Sequence, residues 1–210
     1  MSLDVWLAFF VASWLISLSP GAGAISCMSA GLRYGYRRAL WNIFGLQVGI
    51  LLVLSIVAIG LGAIIAASTT LFVAIKWLGA AYLVWLGIQQ WRAPTAPVGD
   101  QDAAAADAGT PARLVLRGFL VNATNPKGIL FMLAVLPQFI DPARPQLIQY
   151  AICGATLFFT DAVVMSGYTG FAAKVLRLLR EPHHVQWMNR TFGGLFVAAG
   201  AVLATFKRAA

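Results

Sequence analysis

Long apolar runs, nearly free of charge, alternate along the chain with short gaps that hold most of the Lys and Arg. A hydrocarbon core needs about 20 residues of helix to cross it, and six of the runs are long enough. The first covers Leu3 to Ala30 and carries a Pro/Gly interruption at Ser19-Pro20-Gly21. The second covers Ala39 to Ala66, and the third Leu71 to Trp91. A linker over 93–112, rich in Ala, Pro and Asp, has no apolar face and is expected to be flexible. The fourth run covers Leu114 to Phe139, the fifth Gln149 to Val175, and the sixth Val185 to Phe206. Backbone groups in lipid must pair within their own segment, which favours helices. The alternating polarity of a β-barrel is absent. The pattern therefore predicts an all-α polytopic membrane protein with six transmembrane helices, a single membrane domain over 1–210.

Composition agrees. Hydrophobic residues make up 60% and charged residues only 10%, against about 45–50% and about 25% in soluble proteins. The net charge of +8 reads as membrane topology rather than nucleic-acid binding, because the basic residues cluster in the gaps. Arg33, Arg37 and Arg38 follow span one. Arg92, Arg113 and Arg117 follow span three, and Lys174, Arg177, Arg180 and Arg190 follow span five. The gap after span four holds only Arg144. The positive-inside rule places gaps one, three and five in the cytoplasm and both termini outside, against the weaker vote of Lys207 and Arg208. The first run is kept as a span rather than a signal peptide, because its start carries Asp4 and no basic residue. Cys27 and Cys153 fall inside spans and read as buried free thiols. The adjacent His183 and His184 are poorly spaced for a shared metal. No metal, cofactor or nucleic acid is expected.

The two halves echo each other. Ser19-Pro20-Gly21 and Asn125-Pro126-Lys127 occupy matching places in the first span of each half, and Gly79 matches Gly193 in the third. Repeat one covers 1–92 and repeat two 113–210. Three spans is an odd number, so the repeats must be inverted, a common transporter plan. Proline breaks or kinks a helix. Ser19 and Asn125 are good N-cap residues, and a cap followed by Pro starts a new helix. Spans one and four are thus expected to be broken near mid-membrane. Free N–H groups at the new starts would attract a carboxylate there.

Polar residues inside the spans complete the candidate site. Asp161 in span five must face the interior or a partner. It can bind a substrate ammonium, carry a coupling proton, or form a structural ion pair. Lys127 can hold a substrate carboxylate, pair with Asp161, or snorkel to an interface. Lys76 reads as an external anchor. Gln47, Asn122 and Asn125 add neutral groups that can serve a ligand or a neighbouring helix. The expected substrate-binding set is Ser19, Pro20, Gly21, Gln47, Asn122, Asn125, Pro126, Lys127 and Asp161, with Asp161 also the proton-coupling candidate. Gly45 and Gly49, with Gly79 and Gly193, read as close helix contacts. No catalytic residue is expected, since the only histidines lie between spans five and six, away from any nucleophile.

The stretches Ser17-Leu18-Ser19-Pro20-Gly21-Ala22-Gly23-Ala24 and Asn122-Ala123-Thr124-Asn125-Pro126-Lys127 resemble the signatures of the LysE/Rht superfamily of amino-acid exporters. The run Lys76 to Trp91 is similar to its third span, and Leu136-Pro137-Gln138-Phe139-Ile140 also fits. The resemblance implies export of homoserine, its lactone or similar small neutral amino acids, driven by proton antiport, in a bacterial inner (plasma) membrane. The chain departs from the superfamily at Ala22, where a second Pro is common, and at Ile50, where relatives often carry an acid. Asp161 is then the main candidate acid. Implied partners are the amino acid or lactone, the proton and the lipid bilayer, and a homodimer is open to such a chain. An ion channel, or an exporter of another amino-acid class, is the alternative.

Overall fold

The computed structural model describes residues 1–67, 69–93 and 109–205. Most of the expected linker, and both Lys207 and Arg208, lie outside the described residues. Among the described residues the chain forms nine helices and no strand. They are α1 (Leu3–Leu18), α2 (Ala22–Tyr34), α3 (Tyr36–Ala67), α4 (Thr69–Arg92), α5 (Pro111–Ala123), α6 (Pro126–Phe139), α7 (Gln146–Gly170), α8 (Ala172–Arg180) and α9 (Pro182–Thr205).

Both expected breaks are present. The α1 and α2 axes meet at 56°, and those of α5 and α6 at 53°. A residue before proline is pushed out of the helical region. Ser19 accordingly has φ −72° and ψ 109°, and Asn125 has φ −71° and ψ 108°. At the second break the sequence logic holds: Asn125 caps α6, its side chain accepting from the Lys127 N–H, and Pro126 opens the helix. At the first break it does not. Ser19 closes α1, its N–H donating to the Leu15 carbonyl, and Gly21 stands at the N-cap of α2. Pro20 lies between the two helices, so the chain stays extended for longer there and the Ser19 side chain is free for other work.

Among the described residues, α3 and α7 are each long and apolar enough to cross a membrane, and the two bent pairs raise that count to four. The remaining two expected spans, α4 and α9, fall outside that count. Each has 24 residues, or about 36 Å of helix. The fifth expected span ends earlier than its apolar run suggested. α7 stops at Gly170, and Phe171 (φ −105°, ψ 19°) separates it from the short α8. The polarity is inside out, as a lipid-facing helix requires. On α3, Phe44, Val48, Leu52, Ile56 and Ile59 are exposed, while Asn42 and Gln47 are buried.

Glycines set how closely the helices approach. A Cβ on Gly45 would meet the backbone of Val115, and one on Gly49 the Phe119 carbonyl, both on α5. Gly118 of α5 faces Asn42 in return. Rising numbers on both helices show that α3 and α5 run parallel. So do α1–α2 and α7: Trp6 Nε1 donates to Thr156 Oγ1 at 3.1 Å, and Gly31 abuts Thr169. By contrast α4 and α9 are antiparallel, with Gly87 against Gly193 and Ala80 against Gly200. Gly79 packs on Ala134 of α6. All four sequence-marked glycines therefore make close helix contacts.

Two apolar clusters fill the interior. One gathers Phe9, Val53, Phe131, Leu157 and Phe196, and the other Ala24, Met28, Leu46, Val164 and Met165. On three separate elements a polar residue falls between members of the two clusters. Gln47 lies between Leu46 and Val53, and Asp161 between Leu157 and Val164. Ser17 and Ser19 lie between Phe9 and Ala24. A polar layer thus crosses the apolar interior at the level of the breaks. Cys27 and Cys153 are buried and free.

Candidate functional site

The polar layer surrounds a cavity of about 60 Å³, room for a few waters. Its wall includes Ser17, Ser19, Gly21, Asn122, Asn125, Lys127 and Asp161, with apolar sides from Leu46, Ile50, Phe131 and Leu157.

Asp161 comes from the middle of α7 and is buried. A carboxylate in such a place needs hydrogen-bond donors. Gln47 Nε2 donates to its Oδ2 at 2.7 Å, and the Ser17 hydroxyl is its other hydrogen-bonding neighbour. The second arm of the Gln47 amide, Oε1, is buried without a partner. Opposite, the first turn of α6 delivers Lys127. Its ammonium donates to the Ser19 carbonyl at 2.9 Å and to Ser19 Oγ at 2.7 Å, and stands 5.9 Å from the Phe196 ring centre. The contact has a plain cause. The break at Pro20 strips the end of α1 of helical partners, and a cation suits the negative end of that helix. The Leu18 carbonyl is satisfied in the same way, by the Tyr168 hydroxyl at 2.6 Å.

Six of the nine expected site residues line the cavity: Ser19, Gly21, Asn122, Asn125, Lys127 and Asp161. The other three act from behind it. Pro20 and Pro126 make the breaks, and Gln47 holds Asp161. Asn122 is partly engaged, its Nδ2 donating to the Leu46 carbonyl at 2.8 Å, so it also ties α5 to α3. Lys127 and Asp161 face one cavity but do not pair with each other; each has its own neutral partners.

Sequence reasoning missed Ser17, Tyr168 and Phe196. Ser13 and Ser17 are buried four residues apart on α1, a spacing that marks one helix face. That signal was available for Ser17. Nothing local marks Tyr168 or Phe196. A further buried cluster, in which Asn42 Nδ2 donates to Ser26 Oγ at 3.2 Å and approaches Cys27 Sγ at 3.6 Å, ties α3 to α2.

The site offers one anionic and one cationic side chain, the start of a half-helix, and apolar walls. Such a set is chemically suited to a small charged molecule, and transporters place their sites at broken helices of this kind. The chain belongs to the LysE type translocator family, whose model matches residues 14–206, a family of transporters and not of enzymes. It is 43% identical to the homoserine/homoserine lactone efflux protein of Salmonella typhimurium, covering 100% of both chains. It is 44% identical to an uncharacterized membrane protein of Vibrio cholerae, over 99% of this chain and 100% of the other. At greater distance it is 28% identical to a leucine efflux protein of an Enterobacter species, over 97% and 96%. No solved structure matches.

Proposed function

We propose that the chain is a secondary transporter of the bacterial inner membrane that exports homoserine, homoserine lactone or similar small neutral amino acids in exchange for protons. The observation that carries this is that Lys127 and Asp161, each held by its own neutral partners, face one cavity between two proline breaks. The substrate carboxylate meets the Lys127 ammonium and the uncapped N–H groups at the start of α2. Its ammonium meets Asp161, which also exchanges the coupling proton. The apolar walls suit a small neutral side chain.

The architecture we infer is two inverted three-helix units, each with a broken first span, moving against each other around the site. The helix directions support it. Six alternating passes require spans one and five to be parallel, two and four parallel, and three and six antiparallel. These are the directions of the contacts between α1–α2 and α7, α3 and α5, and α4 and α9. The distribution of Arg and Lys supports an orientation with both termini outside.

Uptake of labelled L-homoserine into inverted vesicles tests the reading. With an acid interior the protein should accumulate substrate against its gradient, and without the proton gradient it should only equilibrate. Asp161→Asn should abolish the accumulation. Undiminished proton-driven uptake in that variant would remove Asp161 from coupling. Uptake no higher than in empty vesicles, across a panel of neutral amino acids and lactones, would sink the proposal itself.

A further inference from the structure

We propose that Ser19 is an internal place-holder for a substrate carboxylate, and that the Lys127–Ser19 contact sorts ligands by whether their carboxylate is free. The inference rests on the exporter reading above and adds to it a rule for substrate class. The two ligands in the name of the Salmonella relative, homoserine and its lactone, share an α-ammonium. Only homoserine has a carboxylate, because the lactone closes that group into a neutral ring ester. A site that takes both has to meet one anion in one case and none in the other.

The structure holds what such a site needs. Lys127 brings three N–H donors to the cavity. Two of its contacts go to Ser19, one to the carbonyl and one to the hydroxyl, at 2.9 and 2.7 Å. The ammonium is thus satisfied by two neutral oxygens of a single residue. Both come from the residue that the Pro20 break leaves extended at the end of α1. Ser19 is buried and also lines the cavity. A free carboxylate entering beside Lys127 competes with these neutral acceptors and wins, since hydrogen bonds between charged groups are about twice as strong as neutral ones. A lactone brings no anion. Lys127 then stays on Ser19, and the ligand is held by its ammonium at Asp161 and by the apolar wall. The contact joins α6 of the second half to the break in the first, so a carboxylate ligand also loosens a tie that a lactone leaves intact.

The test is competitive binding of L-homoserine and L-homoserine lactone to the purified protein in detergent, read as the ratio of their affinities, with folding checked by size-exclusion profile. Lys127→Met should lower the homoserine-to-lactone ratio about tenfold, the worth of one charge-assisted bond. Ser19→Ala removes one of the two competing acceptors and should move the ratio the other way, by about threefold. Should Lys127→Met fail to fold, Ser19→Ala decides alone. An unchanged ratio in folded Lys127→Met, or an unchanged or lowered ratio in Ser19→Ala, overturns the place-holder role. If the wild-type protein binds neither ligand, the exporter reading fails instead, and the two failures are distinct.

Discussion

Gln47 supports Asp161 with one arm of its amide and leaves the other, Oε1, buried without a partner. That asymmetry makes the two obvious substitutions unequal. Asp161→Asn keeps a hydrogen-bonding group of the same shape, and its new N–H can reach an amide oxygen that now has none. Gln47→Leu removes a donor from a buried carboxylate and offers nothing in return. Losing one partner of a charged hydrogen bond costs about 1–3 kcal/mol. We expect Gln47→Leu to be destabilised by about that amount and Asp161→Asn by less than about 1 kcal/mol, measured as unfolding midpoints in detergent. Equal stability of Gln47→Leu and wild type would show that the carboxylate does not depend on this donor. At this scale the charged residues were the legible ones, because a lone Asp or Lys in an apolar run has few uses. Ser17 was not assigned, although it lies beside Asp161. Serine is cheap to carry in a helix, since its hydroxyl can bond the carbonyl four residues back, as Ser13 does to Phe9 at 2.8 Å. Only the register of α1 against α7 shows that Ser17 has a different neighbour.

The helices approach through glycines, and these contacts differ sharply in how much room they leave. A Cβ on Gly45 would strike the Val115 backbone, which cannot turn aside as a side chain can. Gly194, by contrast, has nothing within 4 Å of such an atom. Gly45→Ala should therefore destabilise the protein by about 1–3 kcal/mol through overpacking. Gly194→Ala should be neutral or stabilising by up to about 1 kcal/mol, since alanine is the better helix former. Thermal unfolding of the two variants side by side checks this, and a harmless Gly45→Ala would mean that α3 and α5 are not pressed together. Both proline breaks could be read from the sequence, because proline acts on its own helix whatever surrounds it. Their capping could be read only once. Asn125 accepts from the N–H two residues on, which is local chemistry. Ser19 has the same cap propensity, yet its hydroxyl is taken by Lys127, 108 residues away. Long-range competition of that kind leaves no trace in a local motif. The stop of α7 at Gly170 was hidden too, because Phe171, Ala172 and Ala173 continue the apolar run while the backbone turns.

The proposed six passes put the basic gaps on one face, and the proposed orientation of the whole molecule is where sequence carries the most weight. Charge in the gaps is set by translocation and does not depend on how the helices pack. The order of contacts among helices is the part that composition could not supply. It depends on which faces carry glycine and which carry bulk, as between Gly87 and Gly193. The two kinds of information can be tested against each other. With both native cysteines buried, a cysteine introduced at a gap position reports its side by reacting with a membrane-impermeant maleimide. Arg37→Cys, in the gap between α2 and α3, should react only after the cells are permeabilised. Ala143→Cys, in the gap between α6 and α7 where the backbone turns between Asp141 and Arg144, should react in intact cells. If the two sites exchange behaviour, the protein is inserted the other way up. Inverted vesicles would still present the cytoplasmic side of the membrane, but the loops on that side would be the ones proposed to lie outside. If both sites react from the same side, the passes between them are even in number. The single broken crossing of α5–α6 would then be a re-entrant loop rather than a span, and the inverted repeat would fall with it. The parallel contact of α3 with α5 and the single-sided placing of the basic gaps both argue for the first outcome: Ala143 outside and Arg37 inside.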